Sequence, residues 1–175
     1  MAGDDETEIR SLITFQDSHA TRNRACTEAV VYIFYILGTP FTTACATPMV
    51  PYVATTEEIT VTVRPVYLDR ESDYFEQRFV FGYFIKITND GEAPVRLLRR
   101  FWRIEEEGGR LQEVDGLGVI GKQPLIGPGE EHSYSSYSVL QAFEGSMGGY
   151  YTMERSGGEQ FRVTIPRFAL RAMAN

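Results

Sequence analysis

Cysteine is almost missing from this chain. Only Cys26 and Cys45 occur, and neither lies beyond Met49. The segment from Met49 to Asn175 therefore holds no disulfide framework and no thiolate metal site, so burial alone must hold it together. Histidine is equally sparse, with His132 the single one after Met49. A transition-metal cage built from nitrogen and sulfur ligands is excluded there. Excess positive charge is missing too: 17 Lys+Arg face 24 Asp+Glu, for a net charge of -7. That balance argues against general nucleic-acid binding, which needs clustered cations. A long apolar run is also lacking. The strongest, Ala29 to Leu37 ("AVVYIFYIL"), stops at Gly38, whereas a spanning helix needs about 20 apolar residues.

What is present falls into two parts. At 175 residues the chain suits one ordinary domain and is short for two. Residues 1–48 open on a polar, aperiodic stretch and continue through the apolar run into "GTPFTTACATP". The segment fits three descriptions. A transmembrane helix is interrupted too early by Gly38 and Pro40. A signal peptide has its pieces in Arg22, Arg24, the apolar run and Ala44-Cys45-Ala46, but they lie behind an acidic leader. The favoured description is an extension upstream of a natural start at Met49, poorly structured and with a short helix in its apolar run. The expected domain is then 49–175.

That domain reads as strands. Glu57 to Tyr67 ("EEITVTVRPVY") alternates, with Ile59, Val61, Val63 and Pro65 on one face. "YFEQRFVFGYFIKITN" places Phe75, Phe79, Phe81, Tyr83, Ile85 and Ile87 on one side and ends at the turn signal Asn89-Asp90-Gly91. Val95 to Glu107 is apolar on both faces, as a strand covered on both sides would be. By simple parity Arg96 and Arg100 share one of its faces and Arg99 and Arg103 the other. Trp102 is expected in the core. Gly108-Gly109 and Ser156-Gly157-Gly158 mark hairpins. "GPGEE" opens the strand "HSYSSYSVL", and Phe161, Val163 and Ile165 form another inward face. Short strands, close turns and no helical period after Met49 predict an all-β fold. The expected architecture is an immunoglobulin-like or fibronectin type III-like antiparallel β-sandwich.

One stretch raises a question of chemistry. In "EVDGLGVIGKQP", Gly116, Gly118 and Gly121 spell G-x-G-x-x-G, and Gly116 to Lys122 spells G-x-x-x-x-G-K. Both patterns cradle phosphate when a helix N-terminus follows. Here Gln123 stands where a magnesium-binding hydroxyl is needed, and Pro124 and Gly127-Pro128-Gly129 leave no room for a helix. A looser anion loop at Gly116, Gly118, Gly121 and Lys122 stays open, with glycine amides as donors and a lysine charge beside them. The competing expectation is that the glycines serve the backbone geometry of a long inter-strand loop.

The remaining candidates carry less. Asp69, Glu71 and Asp73 alternate like the start of a calcium loop, but Tyr74 and Val80 occupy its glycine and glutamate positions. Glu105, Glu106 and Glu107 read as a solvated strand end. His132 lies near Ser133, Ser135 and Ser136 without an evident orienting carboxylate, and no nucleophile elbow is present. Catalytic residues, metal ligands and cofactors are therefore not expected.

Four stretches together resemble one family. "LLRRFWRIEEEGG", "EVDGLGVIGKQPLIGPGE", "YSSYSVLQAFEGSMGGYYTM" and "FRVTIPRFAL" follow the order of motifs in the ApaG domain (DUF525), over about Ile59 to Leu170. The resemblance implies a fibronectin type III-like sandwich in a bacterial single-domain protein. It also implies an association with cobalt and magnesium resistance or efflux, and brings no established catalytic residues. Similar domains in eukaryotic proteins look like interaction modules. The expected protein is thus non-enzymatic and cytoplasmic, with a protein partner, no membrane span and no general nucleic-acid binding. The alternative is a module for nucleotide polyphosphates at the Gly116–Lys122 loop.

Overall fold

In the computed structural model the chain divides into two units, Met1–Pro48 and Met49–Asn175. The structure describes residues 50–172, so the expected extension and its short helix lie outside the described residues. Nine strands follow one another: β1 (Tyr52–Thr56), β2 (Ile59–Tyr67), β3 (Phe79–Asn89), β4 (Val95–Glu106), β5 (Leu111–Leu117), β6 (Leu125–Ile126), β7 (Glu131–Leu140), β8 (Glu144–Arg155) and β9 (Gln160–Arg171). A single 3-10 turn, Asp69–Glu71, is the one helical element among the described residues. All pairings are antiparallel. One sheet has the order β1-β2-β3-β7. The other runs β5-β4-β8-β9, with β6 also on β4. The result is the expected β-sandwich.

Alternation fills the space between the sheets. β2 turns Ile59, Val61 and Val63 inward, and β3 turns Phe79, Phe81, Tyr83, Ile85 and Ile87 inward, all almost fully buried. The second sheet answers with Leu97, Trp102, Ile104, Met147, Tyr151, Met153, Val163, Ile165 and Phe168. Each such side chain contributes about 1.5–3 kcal/mol when fully buried. Trp102 is the plug its position suggested, packed among Tyr83, Tyr151 and Phe168. Phe75 departs from its expected face. It precedes β3 in a turn set by Asp73, whose Oδ1 accepts the Phe75 and Glu76 amides, and its ring is 99% exposed.

Two irregularities in the second sheet escape a parity count. Between Leu97 and Arg99 the β4–β8 register shifts, with Leu98 left over as a bulge. Between Met147 and Gly149 the β8–β9 register shifts, with Pro166 and Arg167 of β9 opposite one residue. Proline lacks an amide proton, so a bulge is where a strand tolerates it. Glu106 is the other departure. Rather than lying on a solvated end, it is buried, and its Oε2 accepts the amides of Gln141 (2.7 Å) and Ala142 (3.1 Å). Gly108 and Gly109, at φ 93° and 86°, make the turn after β4. The Glu106–Arg110 closure gives that turn three residues rather than two.

Candidate functional site

Of the four residues of the candidate anion site, Gly118, Gly121 and Lys122 lie in the loop after β5 and Gly116 lies within β5 itself, and each glycine has a local cause. Gly116 pairs with Arg100 across β4 and β5. A Cβ there would stand 3.0 Å from Arg100 Nη1 and 3.2 Å from Cζ, so the missing side chain lets the guanidinium lie against β5. Arg100 Nη1 then donates to the carbonyls of Leu117 (3.1 Å) and Gly118 (2.8 Å). Gly118 sits at φ 55°, and a Cβ on it would be 2.0 Å from the Lys122 carbonyl oxygen. Val119 and Lys122 exchange hydrogen bonds of 2.8 and 2.9 Å around Ile120 (φ 47°) and Gly121 (φ 71°). Positive φ at both central residues is the signature of a type I′ turn.

The amides of Gly118, Val119 and Lys122 all donate to main-chain carbonyls, the first to Leu98 at 2.8 Å. Gln123 Nε2 donates to the same Leu98 oxygen at 2.9 Å, and the Leu97 amide donates to Pro124. The loop is thus pinned onto the bulge of β4. Gly121 faces open space, and Lys122 is exposed at the tip.

The bulge also rearranges the arginines. Arg96, Arg99 and Arg103 are exposed on the outer face of the second sheet, while Arg100 turns the other way, toward the gap between the sheets. The apolar residues seen on both faces of this strand are explained likewise. Phe101 lies outside, where it stacks on Tyr150 of β8 at 4.9 Å and 19°. Arg162 of β9 places its guanidinium carbon 4.4 Å from the Tyr150 ring centroid. Arg99 Nη2 pairs with Asp115 of β5 at 3.1 Å. Together with Gln160 these side chains line a shallow groove of about 410 Å³.

Arg162 over Tyr150, which itself stacks on Phe101, gathers two arginines, one of them paired with Asp115, and two aromatic rings on one outer patch. Sequence reasoning found the arginines of β4 but not Tyr150 or Arg162, which are far away in the chain. The available signal was alternation. Tyr150 and Arg162 are the outward neighbours of the buried Tyr151 and Val163.

At the side where β7 and β5 form the sheet edges, polar groups span the sandwich. Tyr134 of β7 and Tyr151 of β8 share a 2.5 Å hydrogen bond between their hydroxyls. Burial pushes the phenols of Tyr134 and Tyr151 well above the usual tyrosine range and raises that of Tyr83. For Tyr83 a hydrogen bond with Ser136 opposes that push. His132 lies on the same strand, with its ring 6.3 Å from that of Tyr134. Asp69 and Glu71 belong to the 3-10 turn and Asp73 to the turn before β3. Among the described residues no group of three or more His, Cys, Asp or Glu side chains stands close enough to hold a metal ion. No helix among them is long and apolar enough to cross a membrane.

Comparison with known proteins agrees with this architecture. Residues 69–155 match the family model described as the ApaG domain. Proteins ApaG of Sinorhizobium fredii and Rhizobium meliloti are each 49% identical over 119 residues, covering 68% of this chain and 92% of the relative. A crystal structure of an ApaA protein from Bordetella pertussis superposes with a TM-score of 0.64 at 40% identity, covering 71% of this chain and 97% of that one. A structural-genomics X-ray structure gives a TM-score of 0.62 at 36% identity, covering 67% and 89%.

Proposed function

This chain belongs to the ApaG family, and we propose that within it the domain acts in the cytoplasm by binding a protein partner rather than by catalysis. The family's association with cobalt and magnesium tolerance then runs through that partner, not through a metal held by this chain. One observation carries the proposal: the open groove in which Arg99 and Arg162 flank the stacked rings of Phe101 and Tyr150. Aromatic and arginine side chains are the residue types enriched where interfaces gain most of their affinity. In a chain of net charge -7, this groove favours an acidic segment. Arginines engage carboxylates with paired, charge-assisted hydrogen bonds, and Arg162, together with an Arg99 that can exchange Asp115 for a partner's carboxylate, supplies them here. Affinity capture with the full chain, compared with a variant carrying Arg162→Glu and Tyr150→Ala, provides the test. The expected result is a reproducible partner retained by the wild type and lost by the variant. The same proteins recovered by both, or none by either, would remove the groove from consideration.

A second function, weak binding of a nucleotide polyphosphate at Gly116, Gly118, Gly121 and Lys122, draws support from the exposed lysine beside the open surface of Gly121. Three of the loop amides already serve carbonyls, so Lys122 would supply most of the attraction. Titration with ATP and diadenosine polyphosphates, with and without Mg²⁺, should then move the amide resonances of residues 116–122. Flat resonances at millimolar ligand would end this alternative.

A further inference from the structure

We propose that β7 is a docking edge, onto which an extended peptide, neutral along its middle and basic at its ends, adds as a further strand of the first sheet. The proposal goes beyond the groove on the second sheet and rests only on the reading that the domain acts by binding. Among the described residues β7 pairs with β3 and with no other strand. The Asn89 amide donates to the Glu130 carbonyl at 3.0 Å, and the Leu68 amide donates to the Val80 carbonyl at 2.9 Å. Antiparallel ladders alternate, so the main-chain groups of Ser133, Ser135, Tyr137 and Val139 point away from β3 toward the open edge.

An open edge is a pairing hazard, and the other edges show the usual protection. β1 is only five residues long and lies against β9, whose Thr164 amide donates to the Thr56 hydroxyl. β9 carries Pro166 in a bulge, with Arg162, Arg167 and Arg171 along its length. β5 is seven residues long and bears Glu113 and Asp115. By contrast, β7 runs ten residues in unbroken register, without proline and without Asp, Glu, Lys or Arg after Glu131. Ser133 and Ser135 are small enough to leave the main chain within reach. Strand addition takes its affinity from such main-chain groups and its specificity from alternate side chains.

Charge selects the occupant. One end of the edge has Glu130 and Glu131 with Lys86, which pairs with Glu131 at 3.3 Å. At the other end Asp73, Glu76 and Arg78 share a shallow groove with Val139 and Gln141. Each end therefore carries a net charge of -1 (two carboxylates less one cation). A second copy added antiparallel would set acidic ends against acidic ends. A peptide with Lys or Arg at its ends complements them.

The test pans a displayed library of nine-residue peptides on the full-length chain and measures selected peptides by fluorescence anisotropy. Ser135→Pro removes an outward amide without touching the ladder to β3, and Ser135→Glu adds an opposing charge should the proline variant fold poorly. Arg162→Glu serves as the groove control. Selected peptides are expected to carry basic residues at their ends. They should bind both Ser135 variants at least tenfold more weakly, and Arg162→Glu as tightly as the wild type. No enrichment, acidic ends, or affinity indifferent to both Ser135 variants would overturn the proposal. A concentration-dependent dimer abolished by Ser135→Pro would do so as well, since the occupant would then be a second copy. Peptides lost by Arg162→Glu alone would assign binding to the groove and not to this edge.

Discussion

Replacing Gly118 and Gly121 separately by alanine distinguishes what each glycine of the loop does. Gly121 sits at φ 71° with nothing within 4 Å of where a Cβ would be. Gly121→Ala therefore faces only the left-handed conformation, a cost of about 1 kcal/mol. Gly118 has a similar φ, 55°, but its Cβ would lie 2.0 Å from a main-chain oxygen that cannot swing aside. The loop must move, and it then leaves the bulge of β4. The hydrogen bond from the Gly118 amide to Leu98 is lost, about 1 kcal/mol. So is the bond from Arg100 to the Gly118 carbonyl, about 1.5–3 kcal/mol for a charged donor. Gly118→Ala should thus cost about 3–5 kcal/mol. At about 2–4 °C per kcal/mol that is roughly a 10 °C fall in Tm. Urea unfolding followed by the emission of Trp102, the single tryptophan, measures both variants on one scale. Equal losses for the two, or a larger loss for Gly121→Ala, would refute the steric account of the motif.

The same turn offers a gain: Ile120→Asn replaces a β-branched residue at φ 47° by one that accepts it, and denaturant melts should show about 1 kcal/mol of added stability. Tyr134→Phe leaves the buried Tyr151 hydroxyl without its 2.5 Å partner and should cost about 1–3 kcal/mol, while the double Phe variant should cost less than the single one. Tyr83, Tyr134 and Tyr151 have folded-state pKa values above the usual value of about 10. The stability from keeping them protonated is therefore complete below pH 10 and falls as the pH rises beyond it. Alkaline unfolding curves should show that loss, and the double Phe variant should flatten it. Glu106→Ala should cost about 1–3 kcal/mol because two partly buried amides lose their charged acceptor, with Glu106→Gln milder, as judged by thermal melts.

Much of the fold was legible because its strands alternate cleanly. β2, β3 and β9 bury the residues that period-two counting selects, and the glycine pairs fall at the turns. Counting fails where the backbone breaks period. Alternation carried back through residue 75 places Phe75 on a core face, but the Asp73 side chain imposes a turn there. Three consecutive glutamates suggest water, yet Glu106 ends β4 on the inner face and caps two amides. No composition rule reveals an acceptor role that depends on the distant residues Gln141 and Ala142.

The arginines of β4 show how much one extra residue decides. With Leu98 paired in regular register, parity would place Arg96 with Arg100 and split the cations evenly between faces. Because Leu98 is left over as a bulge, three arginines share the outer face and Arg100 alone turns inward, where Gly116 makes room for it. The bulge leaves the Leu98 carbonyl without a β8 partner, and the Gly118 amide and the Gln123 side chain satisfy it. The glycine loop and the arginine groove are therefore two consequences of one irregularity. The loop holds the bulge, the bulge sets the phase of β4, and that phase brings Arg99 and Phe101 out beside Tyr150 and Arg162. On this account Gly118→Ala should weaken partner binding at the groove as well as stability, although Gly118 itself lies outside it. Gly121→Ala should leave groove binding intact, because it strains the tip without lifting the loop from Leu98. Measuring partner affinity for both variants at a temperature where each is folded checks the link. Undiminished binding by Gly118→Ala would show that the groove keeps its shape without the loop.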